Sequence, residues 1–65
     1  MKPTLSREEL ATLLGLKPQT LAAWACRRRG PVFKKRRHRV RYAALDVASW
    51  LEDPAGHERA HWGRA

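Results

Sequence analysis

The sequence predicts a small α+β domain that combines three short helices with a two-stranded β-hairpin between the second and third helices. Two apolar stripes at helical spacing lie on either side of a three-residue connection at positions 15–17. Residues 32–42 instead alternate apolar and charged side chains, as a half-buried strand pair does. A chain of 65 residues is long enough for one domain at most, which we place at residues 1–53. Residues 54–65 contain two glycines and little apolar surface, and we expect a disordered tail there.

The dominant compositional feature is positive charge. The formal net charge is +8 and the isoelectric point is about 11.2. Nine of the fourteen Lys and Arg residues fall within residues 27–41, which favours a polyanionic partner. The single cysteine, Cys26, excludes an internal disulfide and indicates a reducing compartment. No segment has the apolar run of a signal peptide or a membrane span, so we expect a soluble cytoplasmic protein.

The first helix is predicted at residues 7–14 from the residues that flank it. Ser6 and Glu9 have the spacing of a capping box, in which each side chain bonds to the backbone of the other residue. Gly15 stands where a left-handed residue commonly ends a helix. We interpret these residues as structural.

The second helix is predicted at residues 18–28, after a connection whose length and composition are typical of a helix-turn-helix corner. Pro18 suits the first helical position, and Leu21 and Trp24 place an apolar stripe on one face. We interpret Trp24 as core instead of a platform for a stacked base. Cys26 is interpreted as a small, semi-buried filler, because no second ligand lies at metal-binding spacing.

The opposite face of this helix is a candidate recognition surface, since the N-terminal part of the second helix faces base edges in docked helix-turn-helix proteins. Gln19 suits hydrogen bonding to adenine, and Thr20 suits contact with a thymine methyl group. Lys17 is a poor N-cap, and it either holds a phosphate at the helix N terminus or points to water. The predicted contact set on this helix is Lys17, Gln19, Thr20, Ala23, Arg27 and Arg28.

The hairpin supplies a second candidate contact surface. Its alternation directs Phe33, Val40 and Tyr42 inward and the charged residues outward. The turn falls near residues 36–38, which lack the Gly, Asn or Asp typical of a tight turn. Such a departure favours a functional role, and arginines on a protruding loop suit a narrow minor groove. The predicted contact set on the hairpin is Lys34, Lys35, Arg36, Arg37, His38, Arg39 and Arg41.

A third helix is predicted at residues 43–53 and ends at the Asp53-Pro54 dipeptide. Its apolar residues are expected to pack under the hairpin: Leu45, Val47, Ala48, Trp50 and Leu51. In the tail, His57 and His61 have the i, i+4 spacing of a metal pair, but no third ligand accompanies them. We therefore predict no metal, no cofactor and no small-molecule ligand.

Several short segments follow one another in an order that matches a known family. They are residues 5–11 (LSREELA), 14–16 (LGL), 20–24 (TLAAW), 30–34 (GPVFK), 40–42 (VRY) and 45–51 (LDVASWL). Over residues 4–52 the chain resembles the excisionase-like, or AlpA-like, branch of the MerR-related winged helix-turn-helix family. That family usually has Ser or Thr at position 17, basic residues near positions 22 and 23, and glycine in the wing tip. These departures imply that backbone and wing contacts carry more of the binding here.

The resemblance implies that the second helix enters the major groove of double-stranded DNA while the hairpin, or wing, reaches an adjacent minor groove. It further implies an excisionase of a phage or mobile element, a bacterial nucleoid-associated protein that binds repeated sites cooperatively, bends DNA and directs an integrase. A small transcriptional regulator on the same fold, a phage terminase small subunit and an RNA-binding module are the alternatives. An enzyme is not expected, because no pair of acidic residues accompanies a credible His or Ser arrangement.

Overall fold

Four helices and a three-stranded antiparallel sheet make up the computed structural model, which describes residues 3–63. The elements are β1 (Thr4–Ser6), α1 (Arg7–Leu14), α2 (Pro18–Cys26), β2 (Lys34–Arg36), β3 (Arg39–Ala43), α3 (Ala44–Glu52) and α4 (Pro54–Trp62). The strand order is β1-β3-β2, so the long strand β3 lies in the middle. The predicted small α+β, winged helix-turn-helix architecture is confirmed, and β1 and α4 are added to it.

Both ends of α1 are fixed by the local chemistry that the sequence predicts. The Glu9 N–H donates to Ser6 Oγ at 3.0 Å, and the Ser6 N–H donates to Glu9 Oε1 at 2.8 Å. Gly15 has a φ of 71°, and the Leu16 N–H that follows donates to the Ala11 carbonyl at 2.8 Å. Leu16 packs on the core from the corner between α1 and α2. The predicted capping box and left-handed glycine are therefore confirmed.

α2 ends earlier than the sequence predicts, because an arginine takes the left-handed position. Arg28 has a φ of 56°, and the Arg29 N–H closes back to the Trp24 carbonyl at 2.8 Å. The Arg28 N–H donates to the Ala25 carbonyl at 3.1 Å, which completes a Schellman motif. At the other end Lys17 caps nothing with its side chain, as expected of a lysine there.

The core lies between α1, α2, α3 and the inner face of the sheet. Its buried apolar residues are Leu10, Ala11, Leu21, Tyr42 and Val47. The hydroxyl of buried Tyr42 accepts a hydrogen bond from Arg7 Nε at 3.3 Å. Trp24 is half-buried, with its ring centroid 5.7 Å from that of Trp50. This packing supports the interpretation of Trp24 as a core residue.

α3 buries less of its apolar surface than the sequence analysis expected. Val47 is buried and Trp50 is half-buried, but Leu45 is 85% exposed and Leu51 is 53% exposed. Ala48 is exposed as well. Leu45 lies almost opposite Val47 around the helix, at about 100° per residue, and so it cannot face the same core. The expectation that all five apolar residues pack under the hairpin is wrong for these three.

The structure also differs from the expected disordered tail. Pro54–Trp62 form α4, whose first turn is capped by Asp53 Oδ1 accepting from the Gly56 N–H at 3.1 Å. The Asp53-Pro54 dipeptide that predicted the end of α3 is equally an N-cap followed by a proline at the first helical position. His57 is 4% exposed within the packed helix. Residues 64–65 lie outside the described part of the chain.

Candidate nucleic-acid interface

The exposed face of α2 presents a continuous stripe. Gln19, Ala23, Cys26 and Arg27 are all exposed, and their spacing of four, seven and eight residues places them on one side of the helix. Thr20 is half-buried beside them. Cys26 belongs to this face, so its interpretation as a semi-buried filler is wrong. Its spacing of seven residues from Gln19 was the signal that could have shown this.

The N terminus of α2 is open and carries no neutralising acid. Lys17 is exposed, and the first turn of the helix contains no acidic residue. The helix dipole therefore meets a cation instead of an anion at this end, which is mildly unfavourable in the isolated domain. At the other end, Arg27 and Arg28 are exposed next to the last turn, where cations suit the dipole.

The outer face of the wing gathers cations in directly opposed pairs. Strand register sets Lys34 opposite Arg41 and Arg36 opposite Arg39, with side chains on the face away from the core. Opposed residues of antiparallel strands have Cβ atoms about 4.5–5.5 Å apart, and like charges there are destabilising. These four residues are called the basic face below. An anion bound against these residues would reduce this repulsion, so the arrangement favours an anionic partner.

One cation of the basic face is held in a fixed position. Arg41 Nη2 donates to Thr4 Oγ1 at 2.9 Å, and Arg41 Nε donates to the same oxygen at 3.2 Å. β1 thus positions this guanidinium, which is half-buried, whereas Lys34, Arg36 and Arg39 are exposed. Thr4 cannot be predicted as part of this site from the sequence, because a three-residue strand gives no periodic signal.

The remaining predicted wing residues lie apart from this face. Lys35 is paired with Val40, so its side chain starts from the side of the sheet that faces the core, although it is exposed. Arg37 and His38 form the exposed two-residue turn between β2 and β3. Arg37 has a φ of 53°, a backbone conformation that suits glycine and is costly for other residues.

The two candidate surfaces are joined by residues 27–33, called the linker below, and α4 bonds to its backbone. The Gly30 N–H donates to Glu58 Oε2 at 3.0 Å, and the Val32 N–H donates to His57 Nε2 at 3.1 Å. Trp62 Nε1 donates to the Gly30 carbonyl at 2.8 Å. α4, which the sequence does not predict, therefore holds the linker between the predicted contact residues of α2 and those of the wing.

Burial and bonding shift the pKa values of both acceptor side chains. Burial lowers the pKa of His57 below its ordinary value, and the neighbouring His61 lowers it further, while Asp46 and Glu58 oppose these effects. The indole N–H of Trp50, 2.9 Å away, lowers the pKa of the Glu58 carboxyl. Partial burial opposes that shift, and the Gly30 N–H and Arg29 add to it. His57 is therefore neutral and Glu58 ionised at neutral pH.

Comparison with known proteins decides the class of this interface. A family model described as a helix-turn-helix domain matches residues 4–54. The chain belongs to this family. The helix-turn-helix domain therefore comprises every element from β1 to α3, with α1, the corner at Gly15 and α2 as its helix pair. Its partner is double-stranded DNA. No curated protein and no solved structure shows significant similarity to the chain.

The described part of the chain offers neither a metal site nor a membrane-spanning helix. Residues 3–63 contain no group of three or more His, Cys, Asp and Glu side chains suited to a metal ion. The His57 and His61 rings lie 4.3 Å apart, but His57 Nε2 already accepts the Val32 N–H. None of the described helices has the length and apolar character that crossing a membrane requires.

Proposed function

We propose that this helix-turn-helix protein is an excisionase, a recombination directionality factor of a phage or mobile element. The observation that carries the proposal is the basic face, with its two opposed pairs of cations. Such a surface is stabilised when phosphates lie against it, and each phosphate neutralised adds affinity for any duplex. The resemblance of residues 4–52 to the excisionase-like branch supplies the more specific role.

In this proposal α2 supplies the base contacts. Gln19 on the exposed stripe bonds to a base edge in the major groove, and Thr20 lies beside it. Lys17, Arg27 and Arg28 lie at the two ends of the helix and contact the flanking phosphates. Ala23 permits close approach but offers no hydrogen-bonding group, so the helix reads few bases.

The wing supplies the remaining affinity and deforms the duplex. The basic face contacts phosphates, and Arg37 and His38 at the turn enter the adjacent minor groove, where a narrow groove strengthens the negative potential. A protein that gains most of its affinity from backbone contacts selects sites by deformability and by repetition. Cooperative binding to repeated sites, DNA bending and contact with an integrase follow from the excisionase role.

The test is enrichment of fragmented genomic DNA on the purified protein at about 150 mM salt, followed by sequencing. We expect short direct repeats beside an integrase gene, and we expect the protein to stimulate excision by that integrase on a supercoiled plasmid. The double variant R36A/R39A is the control, and it should lose both effects. A single promoter peak without stimulated excision would instead indicate a transcriptional regulator, and equal recovery of all fragments would exclude specific binding.

A further inference from the structure

α4 lies beyond the part of the chain that the helix-turn-helix family accounts for, yet it is bonded to the linker. The family match ends at residue 54, the first residue of α4. The linker connects α2 to β2, and so its conformation contributes, together with the pairing of β3 to β1, to how the wing stands relative to the recognition helix. A helix that fixes this segment acts on both proposed DNA-contacting surfaces at once.

Gly30 is the centre of this contact. Its N–H donates to Glu58 Oε2 at 3.0 Å and its carbonyl accepts from Trp62 Nε1 at 2.8 Å, so both of its backbone polar groups are held by α4. Gly30 is buried with a φ of 81°, and a Cβ added there would lie 2.8 Å from Trp24 Cε3. The linker backbone therefore approaches α2 closely at Gly30, which is also the residue whose N–H and carbonyl bond to α4.

His57 fixes the next part of the linker. Its Nε2 accepts the Val32 N–H at 3.1 Å, and its Nδ1 lies 3.2 Å from Ser49 Oγ on α3. An imidazole nitrogen accepts only when it is unprotonated, so the neutral ring accepts from Val32 and donates through Nδ1 to Ser49. The Trp62 ring packs on Phe33, with centroids 5.8 Å apart, at the point where the linker enters β2.

We propose that Glu58, His57 and Trp62 are positioning residues for DNA binding, which hold the linker so that α2 and the basic face engage one duplex together. The inference rests on the proposed DNA-contacting surfaces. Two surfaces joined rigidly in the right geometry bind as one, whereas a mobile linker lowers the effective concentration of the second surface after the first has bound. Ordering the linker during folding also removes that entropic cost from the binding step.

A matched pair of variants at Glu58 separates hydrogen bonding from charge. Glu58→Gln retains an oxygen that accepts from Gly30 and from Trp50 Nε1, whereas Glu58→Ala removes it. Both variants lose the same negative charge, so a general gain of attraction for DNA is equal in the two. We expect Glu58→Ala to lower affinity for a target duplex about tenfold and Glu58→Gln to remain within about threefold of the wild type.

The dependence of affinity on salt shows whether the wing has been released. If Glu58→Ala frees the wing, the slope of log affinity against log salt falls by about two units, since fewer phosphates are neutralised. Combining Glu58→Ala with Arg39→Ala should then cost less than the sum of the two losses, because both act through the basic face. All measurements are made at a temperature where circular dichroism shows each variant to be folded.

Trp62→Phe is the second variant, in case Glu58→Ala does not fold. It keeps an aromatic ring against Phe33 but removes the N–H that bonds to Gly30. Like Glu58→Ala, it should lower both the affinity for DNA and the slope of log affinity against log salt. Folded variants with the affinity and slope of the wild type would overturn the inference while leaving the proposed function intact. A wild-type protein that binds no duplex would overturn both.

Discussion

Two arginines, Arg28 and Arg37, adopt a left-handed backbone conformation that suits glycine and costs any other residue free energy of folding. Arg28 has a φ of 56° and Arg37 a φ of 53°, close to the 71° of Gly15 at the end of α1. A left-handed conformation costs a non-glycine residue about 1–2 kcal/mol. Both arginines lie in the proposed DNA-contacting set. The conformational cost therefore occurs at positions where the side chain is suited to contact a phosphate or the minor groove.

Arg37→Gly should therefore separate stability from binding. We expect the free energy of unfolding to rise by about 0.5–1 kcal/mol, because the relief of strain exceeds the added entropy of glycine in the unfolded chain. Affinity for DNA should fall in the same variant. Urea unfolding and a binding titration measure the two effects. The control is Arg59→Gly within α4, which should lower the free energy of unfolding by about 1 kcal/mol, because glycine destabilises a helix interior. The same loss in Arg37→Gly would refute the argument from strain.

α1 is predicted from local chemistry, whereas β1 and the packing of α4 depend on distant contacts. α1 was predicted with its bounds because Ser6, Glu9 and Gly15 determine both ends within a few residues. β1 was missed because it has three residues and exists only through its pairing with β3. α4 is not predicted, although Asp53 and Pro54 give it a local start signal, because it is anchored by polar side chains, His57 and Glu58, to backbone more than twenty residues away.

The same distinction applies to the candidate site. Alternation predicted that Lys34, Arg39 and Arg41 point away from the core, but only strand register shows which cations face each other. The support that Thr4 gives Arg41 depends on a pairing across most of the chain, which no local pattern contains. The sequence thus indicates the residue types of the interface, and the tertiary structure arranges them.

The charged side chains of the wing should contribute to the affinity for DNA. We expect Arg39→Ala to lower affinity for specific and random duplexes alike, and to reduce the salt slope by about one unit, because one phosphate contact is lost. Arg59→Ala removes an exposed arginine from α4, outside the proposed interface, and is the matched control for net charge. Titration at several salt concentrations makes the comparison. Equal slopes for the two variants would count against the wing assignment.

In the molecule as a whole, the hydrogen bonds of His57 and Glu58 to the linker supplement a small apolar core. The buried hydrophobic core in the described part of the chain consists of five residues, and a domain of this size is stabilised by a few kcal/mol. The net charge of +8 adds self-repulsion to the compact state. The bonds of α4 to the linker therefore add to the sheet pairing and core packing that hold the molecule together, and they make stability depend on pH.

Stability should be constant near neutral pH and fall as acid is added. The lowered pKa of His57 means that below its ordinary value of 6.5 the unfolded chain binds protons more readily than the folded chain. The stabilisation is therefore complete above 6.5 and is lost as pH falls through the lower folded value. Glu58, with a pKa lowered from 4.5, adds a second loss in more acidic solution. Urea unfolding across about pH 2–8 measures both steps, since the loss from Glu58 begins only below its ordinary value of 4.5.

Two variants assign these steps to their residues. His57→Gln keeps an acceptor for the Val32 N–H but does not titrate, so the decline that begins below 6.5 should be shallower than in the wild type. Glu58→Gln should remove the more acidic step and leave the step of His57 present and no smaller, because Glu58 raises the pKa of His57 in the wild type. The three other groups around His57, which are His61, Asp46 and Glu58, all remain in the first variant. Stability that rises as pH falls from about 7 to 5 would mean that the folded state favours the charged imidazole, and the neutral hydrogen bond to Val32 would then be wrong.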